Sequence, residues 1–377
     1  MVSRRTLLKV AAGAPLLAGC SVSMSPGVGI ANHSPSGVPL RRVQVADERV
    51  IRTVAGLRPF RRQGFRVDAK RMDDKLVIHN YGHGGGGITL SWGSSFLATE
   101  FAMQTSHRSC AVLGSGVMGL TTARLMQDRG WDVTIYTKDL PPDTTSNIAG
   151  GQWSPTSVYR AEFVTPAFRS QFERAMAFAY RYYQNLVGSR YGVRWIGNCE
   201  IASGPPADDN FNYRYADFYP QLQELPADRH PFAAQHVRYF DTMLIEPATF
   251  LLALVQDFHV AGGTLHVKEM RDQGEVLTLE EPVVFNCTGL GSSVLFNDTD
   301  LQPIRGQLSF LLPQEEVDYI IVGNGGLYMF PRSDGILLGG TFEYDQWLAE
   351  PDPAATRRIL DGHRAFFESM DDPWSTA

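Results

Sequence analysis

The stretch Cys110-Ala-Val-Leu-Gly-Ser-Gly-Val-Met-Gly119 decides the fold of this 377-residue chain. Its first four residues suit a short buried strand, and three glycines follow at the spacing GxGxxG. Apolar residues then recur at helical spacing until Gly130 ends the helix, and Asp132-Val-Thr-Ile-Tyr136 predicts a second strand. This order of strand, glycine turn, helix and strand predicts a dinucleotide-binding unit.

Each glycine of the turn has a separate predicted task. Gly114 makes the tight turn, Gly116 admits the pyrophosphate, and Gly119 lets the helix pack closely on the strand. The N-terminus of the helix then offers free N–H groups and the positive end of its dipole to the phosphates. The residues between the glycines complete the predicted phosphate turn: Ser115, Val117 and Met118.

The composition limits the class of protein. The formal net charge is −6, and no block of basic residues longer than two adjacent arginines occurs, so a nucleic-acid partner is not expected. An enzyme that acts on small molecules is the default. The four cysteines, Cys20, Cys110, Cys199 and Cys287, are too sparse for a disulfide scaffold or a CxxC metal site, so no metal is expected.

The first twenty residues have the pattern of an export signal. Arg4-Arg5 precedes a short apolar stretch that is too brief to span a bilayer, as in a twin-arginine signal. Leu17-Ala-Gly-Cys20 resembles a bacterial lipobox, in which the cysteine carries lipid. We expect an exported, membrane-anchored lipoprotein whose contact with the membrane is the lipid on Cys20. A generic secretion signal with a chance cysteine is the alternative.

A hydroxyl-rich and glycine-rich loop follows the second predicted strand. It contains Thr144-Thr-Ser146 and Gly150-Gly-Gln-Trp153. At these residues the sequence resembles the FAD-dependent oxidoreductases of the D-amino-acid oxidase family. Further blocks fit the same family: Val283–Gly291, Pro303–Gln307 and Tyr328–Thr341.

Two more blocks of the family are present in a different order. Gly56-Leu-Arg-Pro59 and the His-Asn-Tyr-Gly-His-Gly-Gly block, which begins at His79, precede the GxGxxG stretch, whereas the family has them near the C-terminus. Nothing similar follows Thr341. The sequence therefore resembles a circularly permuted member, with residues 105–109 joining the old ends. Permutation is tolerated where original termini lie close together at the surface.

The resemblance implies an α/β fold: a doubly wound FAD/NAD(P)-binding (Rossmann-like) domain plus a mixed-sheet α+β substrate domain, circularly permuted. The expected segments are a twin-arginine/lipoprotein-type signal (1–20), a flexible tether (21–45), the permuted block (46–104), the FAD-binding βαβ unit and loop (105–160), a first stretch of the substrate domain (161–241), the FAD domain continuation (242–302), a second stretch of the substrate domain (303–350), and a C-terminal helix and tail (351–377).

The resemblance also implies roles for single residues. Arg58 would bind the substrate α-carboxylate with its planar fork, Tyr328 would contact the substrate, and the Gly85 carbonyl would receive its amine. His79 and His83 are expected to be structural. The expected FAD contacts are Gly114, Ser115, Gly116, Val117, Met118, Gly119, Lys138, Asp139, Thr144, Thr145, Ser146, Gly150, Gly151, Gln152, Met270, Thr288, Gly289, Gly84, Gly86, Gly87, Ile88 and Thr89.

The expected activity is oxidation of a D-amino acid by hydride transfer from its α-carbon to FAD, giving a 2-oxo acid, ammonia and hydrogen peroxide. The expected partners are an amino-acid substrate and either molecular oxygen or a membrane electron acceptor. Alternatives are a glycine, sarcosine or D-aspartate oxidase, and a quinone-linked dehydrogenase. A non-catalytic, lipid-anchored binding protein with the same fold is the alternative from another class. Arg305-Gly-Gln307 is expected to form a turn between the two domains.

Overall fold

The computed structural model describes residues 34–371, so the predicted signal with Arg4, Arg5 and Cys20 lies outside the described residues. Within that range the strands are β1 (Val50–Arg61), β2 (Arg66–Met72), β3 (Lys75–Tyr81), β4 (Ser109–Leu113), β5 (Asp132–Thr137), β6 (Val193–Ala202), β7 (Gln223–Leu225), β8 (His236–Ile245), β9 (Thr264–Val267), β10 (Val283–Asn286), β11 (Leu301–Leu311), β12 (Tyr319–Gly323), β13 (Leu327–Arg332), β14 (Gly335–Gly339) and β15 (Glu343–Tyr344). The helices are α1 (Gly87–Ala102), α2 (Val117–Gln127), α3 (Pro166–Gln184), α4 (Phe211–Arg214), α5 (Pro247–Val260), α6 (Gln273–Leu277), α7 (Ser292–Leu295) and α8 (Pro353–Glu368).

The first sheet holds the predicted dinucleotide-binding unit. Its strand order is β2-β3-β10-β4-β5-β9, with β2 antiparallel to β3 and the other pairs parallel. The central strands β4 and β10 are buried almost throughout, which agrees with their continuous apolar sequences. Because the parallel strands point the same way, their carboxyl ends meet at one edge, where ligands of such sheets bind.

The second sheet is mixed and follows the order β1-β11-β14-β13-β12-β6-β8-β7, with β15 also paired to β11. The two sheets confirm the predicted α/β fold class with a mixed-sheet second unit. The turn expected at Arg305–Gln307 is wrong, because these residues lie inside β11. There Gly306 faces Gly56 of β1, and the antiparallel pairing continues on both sides of them.

The permuted block contributes to both sheets. Strand β1 forms an edge of the second sheet, whereas β2 and β3 complete the first sheet beside β10. Helix α1 then packs against α3, where a Cβ on Gly93 would lie 1.8 Å from the Ala175 carbonyl oxygen. Trp92 stacks on Tyr182 with ring centroids 4.0 Å apart. Residues 46–104 are therefore built into the core and do not form a separate unit.

The chain before β1 packs on the second sheet. Leu40 and Val43 are each only 2% exposed, and both belong to the core of that sheet. The Gln44 N–H donates to the side chain of Gln314 at 2.8 Å. Residues 34–45 thus belong to the folded unit and not to the tether expected over 21–45, because they bury apolar side chains. No helix within residues 34–371 is both long and apolar enough to cross a membrane.

Candidate active site

A cavity of about 740 Å³ lies at the carboxyl edge of the first sheet and reaches the second sheet. This volume falls in the range of small-molecule sites. The sequence-predicted site residues that line it are Arg58, Gly84, Gly85, Gly87, Ile88, Gly114, Ser115, Gly116, Val117, Met118, Lys138, Asp139, Thr144, Thr145, Ser146, Gly150, Met270, Thr288, Gly289 and Tyr328. Residues from before and after the GxGxxG stretch therefore enclose one cavity.

The phosphate turn has the geometry that its glycines require. Gly114 has a φ of +99°, and a Cβ there would lie 2.9 Å from the Cys287 carbonyl oxygen. Gly116 precedes α2, and a Cβ on it would approach only the Ser146 hydroxyl, at 3.1 Å. That hydroxyl accepts a hydrogen bond from the Val117 N–H at 3.0 Å. The first turn of α2 therefore opens onto the cavity, and its backbone amides fit a pyrophosphate.

Five predicted residues do not line the cavity and support its walls: Gly86, Thr89, Gly119, Gly151 and Gln152. A Cβ on Gly119 would lie 1.9 Å from the Gly114 carbonyl oxygen, so Gly119 allows the close packing of helix on strand. The Thr89 hydroxyl donates to the Ser154 carbonyl oxygen at 3.0 Å. These residues shape the site through packing and hydrogen bonds and do not face a ligand.

The end of the cavity beside β5 and β9 carries a charged pair. Lys138 lies 3.1 Å from Glu269, and this contact raises the lysine pKa. The Asp139 carbonyl oxygen accepts hydrogen bonds from the hydroxyls of Ser115 at 2.6 Å and Thr137 at 2.7 Å. Glu269 was not predicted from the sequence, although it lies two residues after β9, the neighbour of β5, at the carboxyl edge of the same sheet.

The glycine run forms a wall of bare backbone. Residues Gly84–Gly86 make a short 3-10 turn, and α1 begins at Gly87. A Cβ on Gly87 would meet no atom closer than 3.8 Å, so this wall would accept a flat ring at close range. The Gly85 N–H donates to the Ser157 carbonyl oxygen at 3.0 Å, which holds the turn in place.

Arg58 projects from β1 into the cavity beside Tyr328. Its Nη2 donates to the Tyr328 hydroxyl at 3.3 Å, and its Nη1 donates to the Thr341 carbonyl oxygen at 3.4 Å. In the part of the chain that the structure describes, no carboxylate forms an ion pair with Arg58. Both of these hydrogen bonds are long and go to neutral groups, so the guanidinium is available to an anion.

The two histidines of the glycine block are buried and neutral. Burial lowers the pKa of His83 to about 3, and His83 stacks on Phe65 with ring centroids 4.7 Å apart. Burial also lowers the pKa of His79 to about 4, and the side chain of Asn286 lies 3.0 Å from its Nδ1. These contacts agree with the structural roles expected for both residues.

Tyr81, a residue of the same block, lines the cavity and was missed as a site residue. Its hydroxyl donates to Asp298 at 2.6 Å and accepts from Arg66 at 3.1 Å. Burial, followed by the hydrogen bond to Asp298, raises the tyrosine pKa. Tyr81 therefore remains a neutral phenol that fixes the wall. Its place in the glycine block was the available signal.

The comparisons with known proteins agree with this geometry. The model of the DAO family, described as FAD dependent oxidoreductase, matches residues 109–376. The chain is similar to a D-amino-acid oxidase of Streptomyces coelicolor, with 32% identity over 66% of this chain and 74% of the relative. It is also similar to a human D-aspartate oxidase, with 28% identity over 66% of this chain and 73% of the relative.

The fold is similar to that of a solved L-proline dehydrogenase from P. horikoshii, with a TM-score of 0.51, 14% identity, and coverage of 70% of this chain and 78% of the other. The glycine turn at α2 and the bare backbone near Gly87 fit a dinucleotide with a flat ring, as FAD has. The chain belongs to the DAO family of FAD dependent oxidoreductases, and FAD is its cofactor.

Proposed function

We propose that the protein oxidises a D-amino acid at the bond between its α-carbon and nitrogen. The overall reaction converts the amino acid, oxygen and water to a 2-oxo acid, ammonia and hydrogen peroxide. FAD, when bound, supplies the hydride acceptor for this chemistry. The observation that carries the proposal is Arg58, a cation with no carboxylate partner among the described residues, in the same cavity as the glycine wall.

The residues of the chain bind and orient the substrate. The planar fork of Arg58 receives the α-carboxylate in a bidentate pair, and the Tyr328 hydroxyl beside it donates a further hydrogen bond. The Gly85 carbonyl oxygen accepts a hydrogen bond from the substrate amine. Because the carboxylate and the amine are each held by the protein, the substrate is oriented with its α-carbon toward the position of the flavin ring.

No side chain of the chain is assigned as a base. His79 and His83 are neutral but buried, and their contacts are structural. The carboxylates in the described lining, Asp139 and Glu269, follow β5 and β9, away from Arg58. The substrate amine therefore loses its proton before oxidation, and the protein contributes binding and electrostatics.

The lining favours a neutral amino acid over D-aspartate. Besides Arg58 and Tyr328, the described lining from the second sheet is Gly56, Leu57, Pro59, Gly306 and Leu308, none of which is charged. A second carboxylate would need a second cation there. The other cations of the described lining are Lys138, Lys268 and Arg271, which follow β5 and β9. D-Alanine is thus the substrate that we would test first, with glycine, sarcosine and D-aspartate as alternatives.

Anaerobic reduction tests the proposed function. D-Alanine added without any acceptor should bleach the flavin of the purified protein, and air should restore the colour with release of hydrogen peroxide. Bleaching that only a quinone reverses would replace the oxidase with a dehydrogenase. If none of D-alanine, glycine, sarcosine and D-aspartate bleaches the flavin, the non-catalytic binding protein is the better description.

We also propose that the protein is exported and anchored by a lipid. The support is the sequence pattern at Arg4, Arg5 and Cys20. Replacing both arginines by lysine should leave flavin-loaded, full-length protein in the cytoplasm, and Cys20→Ser should release the mature protein from the membrane fraction. Normal export of the double-lysine variant would rule out the twin-arginine route, and unmodified Cys20 in soluble wild-type protein would rule out the anchor.

A circular permutation explains how these residues share one site, and we propose it on two observations. The family model matches from residue 109 onward, while Arg58 and the glycine run stand before it. The end of the described chain lies beside the start of the permuted block. Arg364 pairs with Asp47 of that block at 2.6 Å, and Arg42, four residues before the block, donates to the Met370 carbonyl oxygen. A short linker could therefore join these ends in the order expected of the family.

A further inference from the structure

We propose that Gly306 and Phe342 form a slot that fixes the position of the Arg58 guanidinium, so that its N–H groups can meet a carboxylate. Gly306 and Phe342 are positioning residues, which act on the substrate through Arg58. The proposal rests on the carboxylate-binding role proposed for Arg58, and it adds two residues that determine the position of the guanidinium.

The first wall of the slot is the bare backbone of Gly306. A Cβ at this position would lie 2.3 Å from both Nη atoms of Arg58 and 2.4 Å from its Cζ. These distances are far too short for a real Cβ, so the Gly306 backbone lies directly against the Nη end of the guanidinium with no room for a side chain. Arg58 pairs in register with Ile304, two residues away on the same face of β11. The arginine can therefore cross β11 because residue 306 has no side chain.

The second wall is the ring of Phe342. Its centroid lies 4.5 Å from the Cζ of Arg58, within the range of a cation–π contact. The ring is 45% exposed, so apolar packing alone does not fix its place. The adjacent strand β15 fixes it, because Glu343 and Tyr344 pair in register with Arg305 and Ile304 of β11.

Thr341, the residue before Phe342, is held in place by hydrogen bonds. The Thr341 hydroxyl accepts a hydrogen bond from the Gln307 N–H at 2.6 Å. Its carbonyl oxygen accepts from Nη1 of Arg58 at 3.4 Å. The side chain of Gln307 donates to the Thr356 hydroxyl of α8 at 2.6 Å, which ties this region to the helix. Thr341 and Gln307 therefore connect β11, α8 and Arg58 through hydrogen bonds.

The slot limits how Arg58 can meet a ligand. Gly306 and Phe342 both lie against the guanidinium, so an anion approaches where its remaining N–H groups form the bidentate fork. The phenyl ring also keeps water from part of the guanidinium, which strengthens the charge pair. A side chain held in this way loses little conformational freedom on binding.

Propionate titration of the FAD-loaded protein tests the slot, with binding followed by flavin absorbance. Propionate carries the carboxylate of the substrate and no amine, so it binds without being oxidised. Phe342→Ala should weaken propionate binding on the order of tenfold, since a partly desolvated cation–π contact is lost. Gly306→Ala should weaken propionate binding at least as much. The atoms nearest to the added methyl would be those of the Arg58 guanidinium and not those of the backbone, so the methyl displaces the arginine and leaves the strand intact.

Matched controls separate positioning from general damage. Trp347 is 56% exposed near the same strand, and a Cβ on Gly204 meets no atom within 4 Å. Trp347→Ala and Gly204→Ala should therefore bind propionate as the wild type does. In an Arg58→Ala background, Phe342→Ala should cause no further loss, since the interaction energy belongs to the pair.

The outcomes distinguish this proposal from the proposed function. Unchanged propionate binding in both Gly306→Ala and Phe342→Ala would overturn the slot even if D-alanine bleaches the flavin. Equal further loss in the Arg58→Ala background would also overturn it. Weakened propionate binding with no bleaching by D-alanine would retain the slot and reject the proposed reaction. Failure of the wild type to bind propionate would reject both.

Discussion

The position of the Arg58 guanidinium depends on residues that are far away in the sequence. The proline after Arg58 was enough to predict an extended segment, because proline restricts the residue before it. The carboxylate-binding role was implied by the resemblance to the family. The structure places Arg58 within β1 and its guanidinium 3.3 Å from the Tyr328 hydroxyl, 270 residues further along the chain. Nothing in the local sequence predicted that Gly306 would lie against its guanidinium.

Removing Arg58 should separate substrate binding from cofactor binding. Arg58→Ala should weaken binding of the amino acid by roughly 2–5 kcal/mol, the cost of losing one side of a charged, hydrogen-bonded pair. FAD should remain bound, because the phosphate turn is untouched. Arg58→Lys should recover part of the loss, since an ammonium cannot form the planar fork. The KM for D-alanine and the flavin absorbance of each variant measure this, and an unchanged KM in Arg58→Ala would exclude the role.

At the scale of elements, the site depends on how closely α2 approaches β4. Gly119 on the helix and Gly114 in the turn meet with no room for a side chain, since a Cβ on Gly119 would lie 1.9 Å from a backbone oxygen. The same contact aims the first turn of α2 at the cavity. Affinity for the cofactor should therefore depend on a residue that does not line the cavity.

Gly119→Ala tests this dependence. The added methyl should push α2 away from the turn and weaken FAD binding at least tenfold, with a loss of stability on the order of 1–3 kcal/mol. Gly130→Ala is the control: Gly130 has a φ of +75°, so alanine is strained there, yet its Cβ would meet nothing within 4 Å. Flavin fluorescence gives the FAD affinity of both variants. Equal FAD affinity in Gly119→Ala and the wild type would contradict the argument.

At the scale of the whole molecule, buried histidines couple folding to pH. Burial lowers the pKa of His363 to about 4, and its Nε2 lies 3.1 Å from the Gly339 carbonyl oxygen. His79 and His83 have similarly low pKa values. An unfolded histidine binds a proton below about pH 6.5, whereas these folded ones do not. The free energy of unfolding should therefore fall as pH drops from 6.5 toward 4.

His363→Gln should reduce this pH dependence, because glutamine does not titrate and can still donate a hydrogen bond to Gly339. Between pH 7 and pH 5 one such histidine contributes about 2 kcal/mol of lost stability. The free energy of unfolding, measured with urea at the two pH values, should therefore change by about 2 kcal/mol less in the variant than in the wild type. The same pH dependence in both proteins would show that His363 titrates normally.

The permutation can be reversed by rejoining the chain. Residues 108–371, followed by a short glycine–serine linker and residues 42–104, should fold and bind FAD, since Arg42 already contacts Met370. Closing a short loop costs little free energy. Residues 42–371 in the native order serve as the matched control. FAD affinity and the KM for D-alanine should match between the two, and a folded, rejoined chain without FAD would argue against the permutation.

The sequence by itself determined the features whose cause is local. Strand β4, the glycine turn and helix α2 follow from apolar spacing and from the backbone freedom of Gly114, which takes a φ of +99°. The packing of Gly119 against the turn was also predicted, because the GxGxxG spacing imposes it. The clustering of Arg58 and the glycine run with this turn agrees with the expected order of blocks.

Only the tertiary structure decided which groups meet across long separations. Lys138 meets Glu269 because β5 and β9 are neighbours, and Arg58 meets Phe342 because β1 and β15 flank β11. The turn expected near Gly306 failed for the same reason: a glycine in sequence suggests a turn, whereas pairing with Gly56 keeps it extended. Strand pairing joins residues that no local pattern connects, so these contacts depend on the burial and hydrogen bonding of the whole sheet.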